Sequence, residues 1–118
     1  MRKFLSLGWL ALGLLGSAWA FPDKPIRIVI GFPAGGPLDQ HARLLSDRLQ
    51  QVLGQTVVID YKAGAGGTVG AQEVMRAPAD GHTLMLANTG VMVINPALYG
   101  KLPYGTLRDF VPVADRKS

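Results

Sequence analysis

Between Ile26 and Ala87 the sequence runs twice through one cycle of short β-branched strand, glycine-rich loop and amphipathic helix, and then starts a third strand. Ile26-Arg27-Ile28-Val29-Ile30 reads as the first strand and runs into the turn cluster Gly31-Phe32-Pro33-Ala34-Gly35-Gly36. From Pro37 the period becomes helical, with Leu38, Ala42, Leu45, Leu49 and Val52 on one stripe and Asp39, Arg43, Asp47 and Gln51 away from it. Gly54 stands where a left-handed cap would end that helix. Thr56 to Asp60 then repeats the strand, Ala63 to Gly67 the glycine loop and Thr68 to Ala77 the helix, which stops at Pro78. Thr83 to Ala87 follows the turn Ala79-Asp80-Gly81 as the third strand, apolar enough to suit burial on both faces. This alternation predicts an α/β fold, a parallel sheet of βαβαβ units under right-handed crossovers. Beyond Asn88 the pattern breaks into short pieces separated by turns.

The segment before the first strand has a different character. Met1-Arg2-Lys3 is basic, Phe4 to Leu15 is apolar and Ala18-Trp19-Ala20 is an A-x-A site, so residues 1–20 read as an export signal cleaved after Ala20. The apolar run is shorter than the ~20 residues a membrane span needs, and Pro22 and Pro25 follow it, so no stable membrane insertion is expected. The predicted product is soluble and periplasmic. Arg2 and Lys3 supply two of the formal net charge of +4, and the remaining cations are scattered among acidic neighbours. That distribution excludes a nucleic-acid surface. The absence of cysteine excludes a disulfide scaffold, a CxxC redox site and a Cys-ligated zinc module. A chain of this size buries roughly 60% of its unfolded surface if all elements share one core.

Both glycine loops follow the carboxyl end of a strand and precede a helix, the position in which parallel sheets hold their ligands. The amides of a first helical turn, with the positive end of the helix dipole behind them, suit a carboxylate or phosphate. Read from the residues alone, either loop taken singly is better accounted for as a tight turn in which glycine supplies a positive φ. Nucleotide chemistry fails on spacing: Gly64-Ala65-Gly66-Gly67-Thr68-Val69-Gly70 lacks the Lys-Ser/Thr pair of a P-loop, and Val69 stands where G-x-G-x-x-G needs its third glycine. No catalytic residue, metal ligand set or cofactor site is visible. His41 has leucines at i+3 and i+4, His82 lies in a turn, and both are expected to be exposed. Tyr99 and Tyr104 are expected to cover the edge of the core. Both tryptophans, Trp9 and Trp19, lie in the export signal.

A string of phrases carries a family resemblance: Lys24-Pro25-Ile26-Arg27-Ile28-Val29, Phe32-Pro33-Ala34-Gly35-Gly36 with Asp39 and Ala42-Arg43, Leu53-Gly54-Gln55, Gly64-Ala65-Gly66-Gly67, Ala79-Asp80-Gly81-His82-Thr83-Leu84, Asn95-Pro96-Ala97-Leu98-Tyr99, Leu102-Pro103-Tyr104 and Asp109-Phe110-Val111-Pro112-Val113. In this order, over Phe21 to Val113, they resemble the Bug or TctC-like family of periplasmic solute receptors of tripartite tricarboxylate transporters. The resemblance implies two α/β lobes of a periplasmic-binding-protein-like (type II) fold, a small organic carboxylate in the cleft, and the transporter's membrane components as partners. It implies ligand contacts from Phe32, Pro33, Ala34, Gly35, Gly36 and Asp39 in the first loop and from Ala65, Gly66 and Gly67 in the second. For Asp39 a helix-start role is favoured over ligand contact, because a carboxylate there would repel an anion.

Three departures accompany the resemblance. Leu38 stands where members often carry a small hydroxyl residue, Ala63 where a proline is common, and His82 where tyrosine is usual. Family receptors are close to three times as long, so residues 21–113 are expected to form the amino-terminal part of the first lobe. Residues 114–118 read as a divergent tail, in the pattern of a truncated receptor. The alternatives are a non-functional exported fragment and, last, a small secreted enzyme acting on an anionic substrate.

Overall fold

The computed structural model describes residues 21–114. The proposed export signal and residues 115–118 of the tail lie outside them. Strand β1 (Ile26–Ile30) is followed by helix α1 (Pro37–Leu53), β2 (Val57–Tyr61), a 3₁₀ turn (Ala65–Gly67), α2 (Thr68–Arg76) and β3 (Thr83–Leu86). A π-type turn (Gly90–Ile94), α3 (Asn95–Leu98) and α4 (Thr106–Asp109) complete the described chain. The strands form one parallel sheet in the order β2-β1-β3, with Ile28 opposite Ile59 on one side and Leu84 on the other. The α/β architecture is the one the alternation predicts.

The central strand differs from expectation. β3 lies at an edge and Thr83 to Leu86 are only half-buried, whereas Ile28, Val29 and Ile30 of β1 are all but inaccessible. The first crossover places β2 on one side of β1, and the second carries β3 across to the other. β1 is therefore the strand covered on both faces. One face packs Ile26, Ile28 and Val57 against Leu49 and Leu53 of α1, with Leu84 and Leu86 alongside. A second cluster gathers Ala71, Val91 and Tyr104 with Phe32, Met75 and Met85.

Helix α1 starts and stops as read, with Gly36 at its cap, Pro37 in its first position, and Gly54 left-handed (φ 65°) donating its N–H to the Gln50 carbonyl at 3.0 Å. Its buried face is rotated from the expected one. Asp39, Ala42 and Ser46 point inward, while Leu45 and Val52 are 41% and 80% exposed. The cause is partnering: the Ser46 hydroxyl donates to the Val57 carbonyl at 3.2 Å, and the Asp39 carboxylate has three donors described below. Hydrogen-bonded polar groups of this kind are buried at little cost.

Three local expectations are corrected. His82 is buried, 7% exposed, with Nε2 3.1 Å from Asp23 Oδ1, Nδ1 3.4 Å from Asp80 Oδ1, and the Phe21 ring edge-on at 4.8 Å. The N-terminal segment folds back over it, which turn chemistry alone does not announce. Tyr99 is exposed, whereas Tyr104 does seal the core, donating its hydroxyl to the Val91 carbonyl at 2.5 Å. Of the short pieces expected after Asn88, those from Gly90 to Leu98 join into one continuous helical run, started by the Val91 N–H bonding Asn88 Oδ1 at 3.1 Å, while Leu102 to Gly105 and α4 remain separate.

The end of β1, the second loop and α2 meet backbone to backbone. A Cβ on Gly31 would lie 2.8 Å from the Gly67 Cα, and one on Gly70 would lie 2.8 Å from the Gly31 Cα. Gly67, at φ 95°, would drive a Cβ to 2.3 Å from a methyl of Val91. Gly70→Ala is therefore expected to cost roughly 1–3 kcal/mol by overpacking against backbone, whereas Gly100→Ala, which meets nothing within 4 Å, stays within about 0.5 kcal/mol of the parent. Urea unfolding followed by circular dichroism measures both; equal midpoints for the two variants would refute the seam.

Candidate ligand-binding site

Parallel strands deliver all three of their following loops to one edge of the sheet. Residues 31–36 follow β1, residues 62–67 follow β2 and residues 87–89 follow β3. The chain leaves β1 toward β2 and later returns past it to β3, so the loops of β1 and β3 diverge at a topological switch point, where open α/β sheets form a crevice. The sequence reading located the first two loops. It missed the third, with Asn88, and it missed Asn95, whose role is visible only once α3 has packed against the second loop.

In the first loop, Pro33, Ala34 and Gly35 are exposed, while Phe32 is half-buried and packs into the second cluster. Gly35 is left-handed (φ 95°). Its N–H donates to Asp39 Oδ2 at 2.9 Å, so it is already partnered inside the protein. The same carboxylate accepts the Tyr61 hydroxyl on Oδ1 at 2.5 Å and Arg43 Nε on Oδ2 at 3.2 Å. The Tyr61 hydrogen bond, then the Gly35 amide, hold the Asp39 carboxyl below the usual carboxylate range, and the same hydrogen bond to Asp39 in turn pushes the Tyr61 phenol up. Asp39 thus has the favoured helix-start position, but it takes the amide of the loop before the cap. Pro33 and Pro37 have no N–H, so the loop's remaining amides near the helix start are those of Ala34, Gly36 and Leu38.

The second loop is a left-handed run: Gly64, Ala65, Gly66 and Gly67 have φ of 137°, 49°, 62° and 95°. Gly66 (φ 62°, ψ 30°) and Gly67 (φ 95°, ψ −4°) are the central residues of a type I′ turn closed by the Thr68 N–H on the Ala65 carbonyl. The N–H of Gly67 bonds the Gly64 carbonyl at 3.1 Å, and Asn95 Nδ2 donates to the Gly66 carbonyl at 3.0 Å. Ala65 and Gly66 are exposed, and their N–H groups take no part in these bonds. The two loops touch through Gly31 and Gly67, and the Phe32 ring lies 3.4 Å from where a Gly67 Cβ would be. The structure thus brings together the nine residues nominated from the sequence on one edge. Residues 31–36 and 63–67 contain no lysine or arginine, and Lys62, at the root of the second loop, lies 3.9 Å from Asp60 Oδ2, so backbone dipoles are the main groups these residues offer an anion.

A cavity of about 360 Å³ opens at the other end of the strands, lined among others by Lys24, Arg27, Val58 and His82. None of the nine loop residues lines it, and its cations are engaged: Lys24 with Asp80 at 2.8 Å, Arg27 with Asp60 at 2.9 Å and Glu73 at 3.1 Å. The loop edge therefore remains the candidate site. Among the described residues no group of three or more His, Asp and Glu could hold a metal ion, and no helix is long and apolar enough to cross a membrane.

Residues 41–117 match the family model described as the tripartite tricarboxylate transporter family receptor. The chain belongs to this family. A UPF0065 protein in the tcbD-tcbE intergenic region of a Pseudomonas species is 46% identical over 94 residues, covering 80% of this chain and 28% of that protein. Among solved structures, MatC from Rhodopseudomonas palustris with bound malate superposes with a TM-score of 0.75 at 41% identity, covering 79% of this chain and 32% of MatC. A second R. palustris protein, with adipate, gives a TM-score of 0.75 at 35% identity over 79% of this chain and 31% of its own. Tripartite tricarboxylate transporter receptors are periplasmic solute-binding proteins. The chain spans about a third of the length of the relatives it matches.

The Asp39 carboxyl titrates lower folded than unfolded, and so does that of Asp80, brought to about 2 chiefly by Lys24 and the His82 amide. Their contribution is complete above the unfolded aspartate value of ~3.9 and is lost as pH falls through the folded values. Thermal unfolding should therefore show a stability falling between about pH 4 and pH 2, with a shallower fall in Asp39→Asn. Identical acid slopes for the two proteins would show that Asp39 is not held this way.

Proposed function

We propose that residues 21–113 are the amino-terminal part of the first lobe of an extracytoplasmic receptor that binds a small organic carboxylate and delivers it to the membrane components of a tripartite tricarboxylate transporter. In this reading residues 1–20 are the export signal, cleaved after Ala20, and the receptor works in the periplasm without catalysis or cofactor. The observation that carries it is the pairing of two glycine loops at the carboxyl edge of a parallel sheet, with exposed backbone at Ala34, Ala65 and Gly66 and no lysine or arginine within residues 31–36 or 63–67. Relatives that cover most of this chain hold malate and adipate. Both are dicarboxylates.

In this reading the nine residues divide the labour. The amides of Ala34, Gly36, Ala65 and Gly66 donate to the ligand, each charge-assisted bond contributing on the order of 1.5–3 kcal/mol. Phe32 and Pro33 form an apolar wall. Gly35, Gly67 and Asp39 shape the loops from behind, since the amides of both glycines bond within the protein. Three or four such bonds, less the cost of association, give millimolar to micromolar affinity, or roughly −4 to −8 kcal/mol.

The test is an amide proton–nitrogen NMR titration with malate and adipate, with the uncharged diamides of the same acids as controls. Saturable shifts confined to Ala34, Gly36, Ala65 and Gly66, seen with the acids and not the diamides, are expected. Shifts that ignore the carboxylates, or that the diamides reproduce, would overturn the assignment.

A further inference from the structure

Gly35, in the middle of the first glycine loop, has open space where a side chain would project. It is exposed, left-handed, and a Cβ placed on it would meet nothing within 4 Å, so packing does not set its conformation. What sets it is the bond from its N–H to Asp39 Oδ2 at 2.9 Å. Asp39 is 3% exposed, and its other oxygen accepts the hydroxyl of Tyr61. Tyr61 is the last residue of β2, paired in register with Ile30 of β1, and the next residue extends that ladder, the Lys62 N–H bonding the Ile30 carbonyl at 2.8 Å. The phenol is thus anchored by the sheet just where the second glycine loop begins.

We infer that Asp39 and Tyr61 form a positioning latch that sets the shape of the first glycine loop by reference to the root of the second. This inference rests on the carboxylate-binding reading of the two loops and assigns neither residue to the ligand. The latch places the tip of the first loop relative to the end of β2, which leads directly into the Ala65-Gly66 amides. It also resolves the presence of a carboxylate beside an anion site. Both Asp39 oxygens are turned onto donors, and the Arg43 guanidinium, bound to Oδ2 at 3.2 Å, supplies the opposite charge. A buried carboxylate without these partners would both destabilise the fold and repel the ligand. Arg43 is itself largely exposed, so it screens the charge, while Tyr61 and Gly35 fix the geometry.

The test compares the full chain with Tyr61→Phe, which keeps the ring and removes the hydroxyl, using amide hydrogen exchange and malate titration side by side. With the Asp39 carboxylate free to turn, Gly35 should exchange about tenfold faster while the β1 amides of Ile28 and Val29 keep their protection, and malate should bind about three- to tenfold more weakly. Unchanged Gly35 exchange overturns the latch, as does acceleration shared equally with Ile28 and Val29, which would mean general destabilisation. Should malate bind the parent and Tyr61→Phe equally well, the positioning role is overturned even if Gly35 loosens. Should malate bind neither protein while Gly35 alone loosens, the carboxylate reading fails and the latch stands as a loop-shaping device. If Tyr61→Phe does not fold, the parent still decides: the Gly35 amide proton shift must follow an acid titration with a midpoint below the ordinary aspartate value. A shift that is flat through that range overturns the proposal.

Discussion

Three glycines bring the ends of separate elements into direct backbone contact, and the position of every functional group at the loop edge follows from it. Gly31 closes β1, Gly67 closes the left-handed turn of the second loop, and Gly70 lies in the first turns of α2. Each sits where a methyl would strike backbone or, for Gly67, the Val91 side chain. This close approach lets α2 start almost on top of the end of β1, so that the loop before α2 lies beside the loop after β1. Two loops 30 residues apart in sequence thereby become one surface. Val91 is buried against the same seam, which ties the helical run after β3 to it and lets Asn95 reach the Gly66 carbonyl.

Much of this was legible in the sequence, for identifiable reasons. The β-branched run of β1, the proline and glycine that bracket α1, and the glycine loops are local signals, and local chemistry decided them. What could not be read depended on partners distant in sequence. Hydropathy alone puts polar positions such as Asp39 and Ser46 on the outer face of α1, whereas both are buried. Only the Tyr61 hydroxyl and the Val57 carbonyl, brought in by β2, make those positions acceptable inside. β3 reads as a buried strand from its apolar residues, yet strand order is a property of the crossovers, and apolar composition does not carry it. Turn chemistry alone puts His82 in solvent, but Phe21 and Asp23 cover it from the start of the described chain.

The candidate site shows the same division. Which loops form it could be read from strand, glycine and helix order. Which amides in it are available could not, because Gly35 and Gly67 are indistinguishable in sequence from glycines that present their N–H groups outward. Their bonds to Asp39 and to the Gly64 carbonyl appear only in three dimensions. Asn95 and Tyr61 carry no signal of their own; each is an ordinary polar residue at the end or start of an element.

A site made of backbone amides behaves differently from one made of arginines. Amide dipoles fixed by left-handed turns and by buried acceptors need little reorganisation to meet an anion, and they carry no charge that would have to be neutralised when the site is empty. They recognise the negative oxygens of a ligand and not the rest of its structure. The rigidity they need comes from groups behind the loops: Asp39 and Tyr61 beneath the first, Asn95 and the Gly31 contact beneath the second. A polar residue buried under each loop, with its hydrogen-bonding capacity directed inward, is thus the structural counterpart of the amide site proposed on the surface above it.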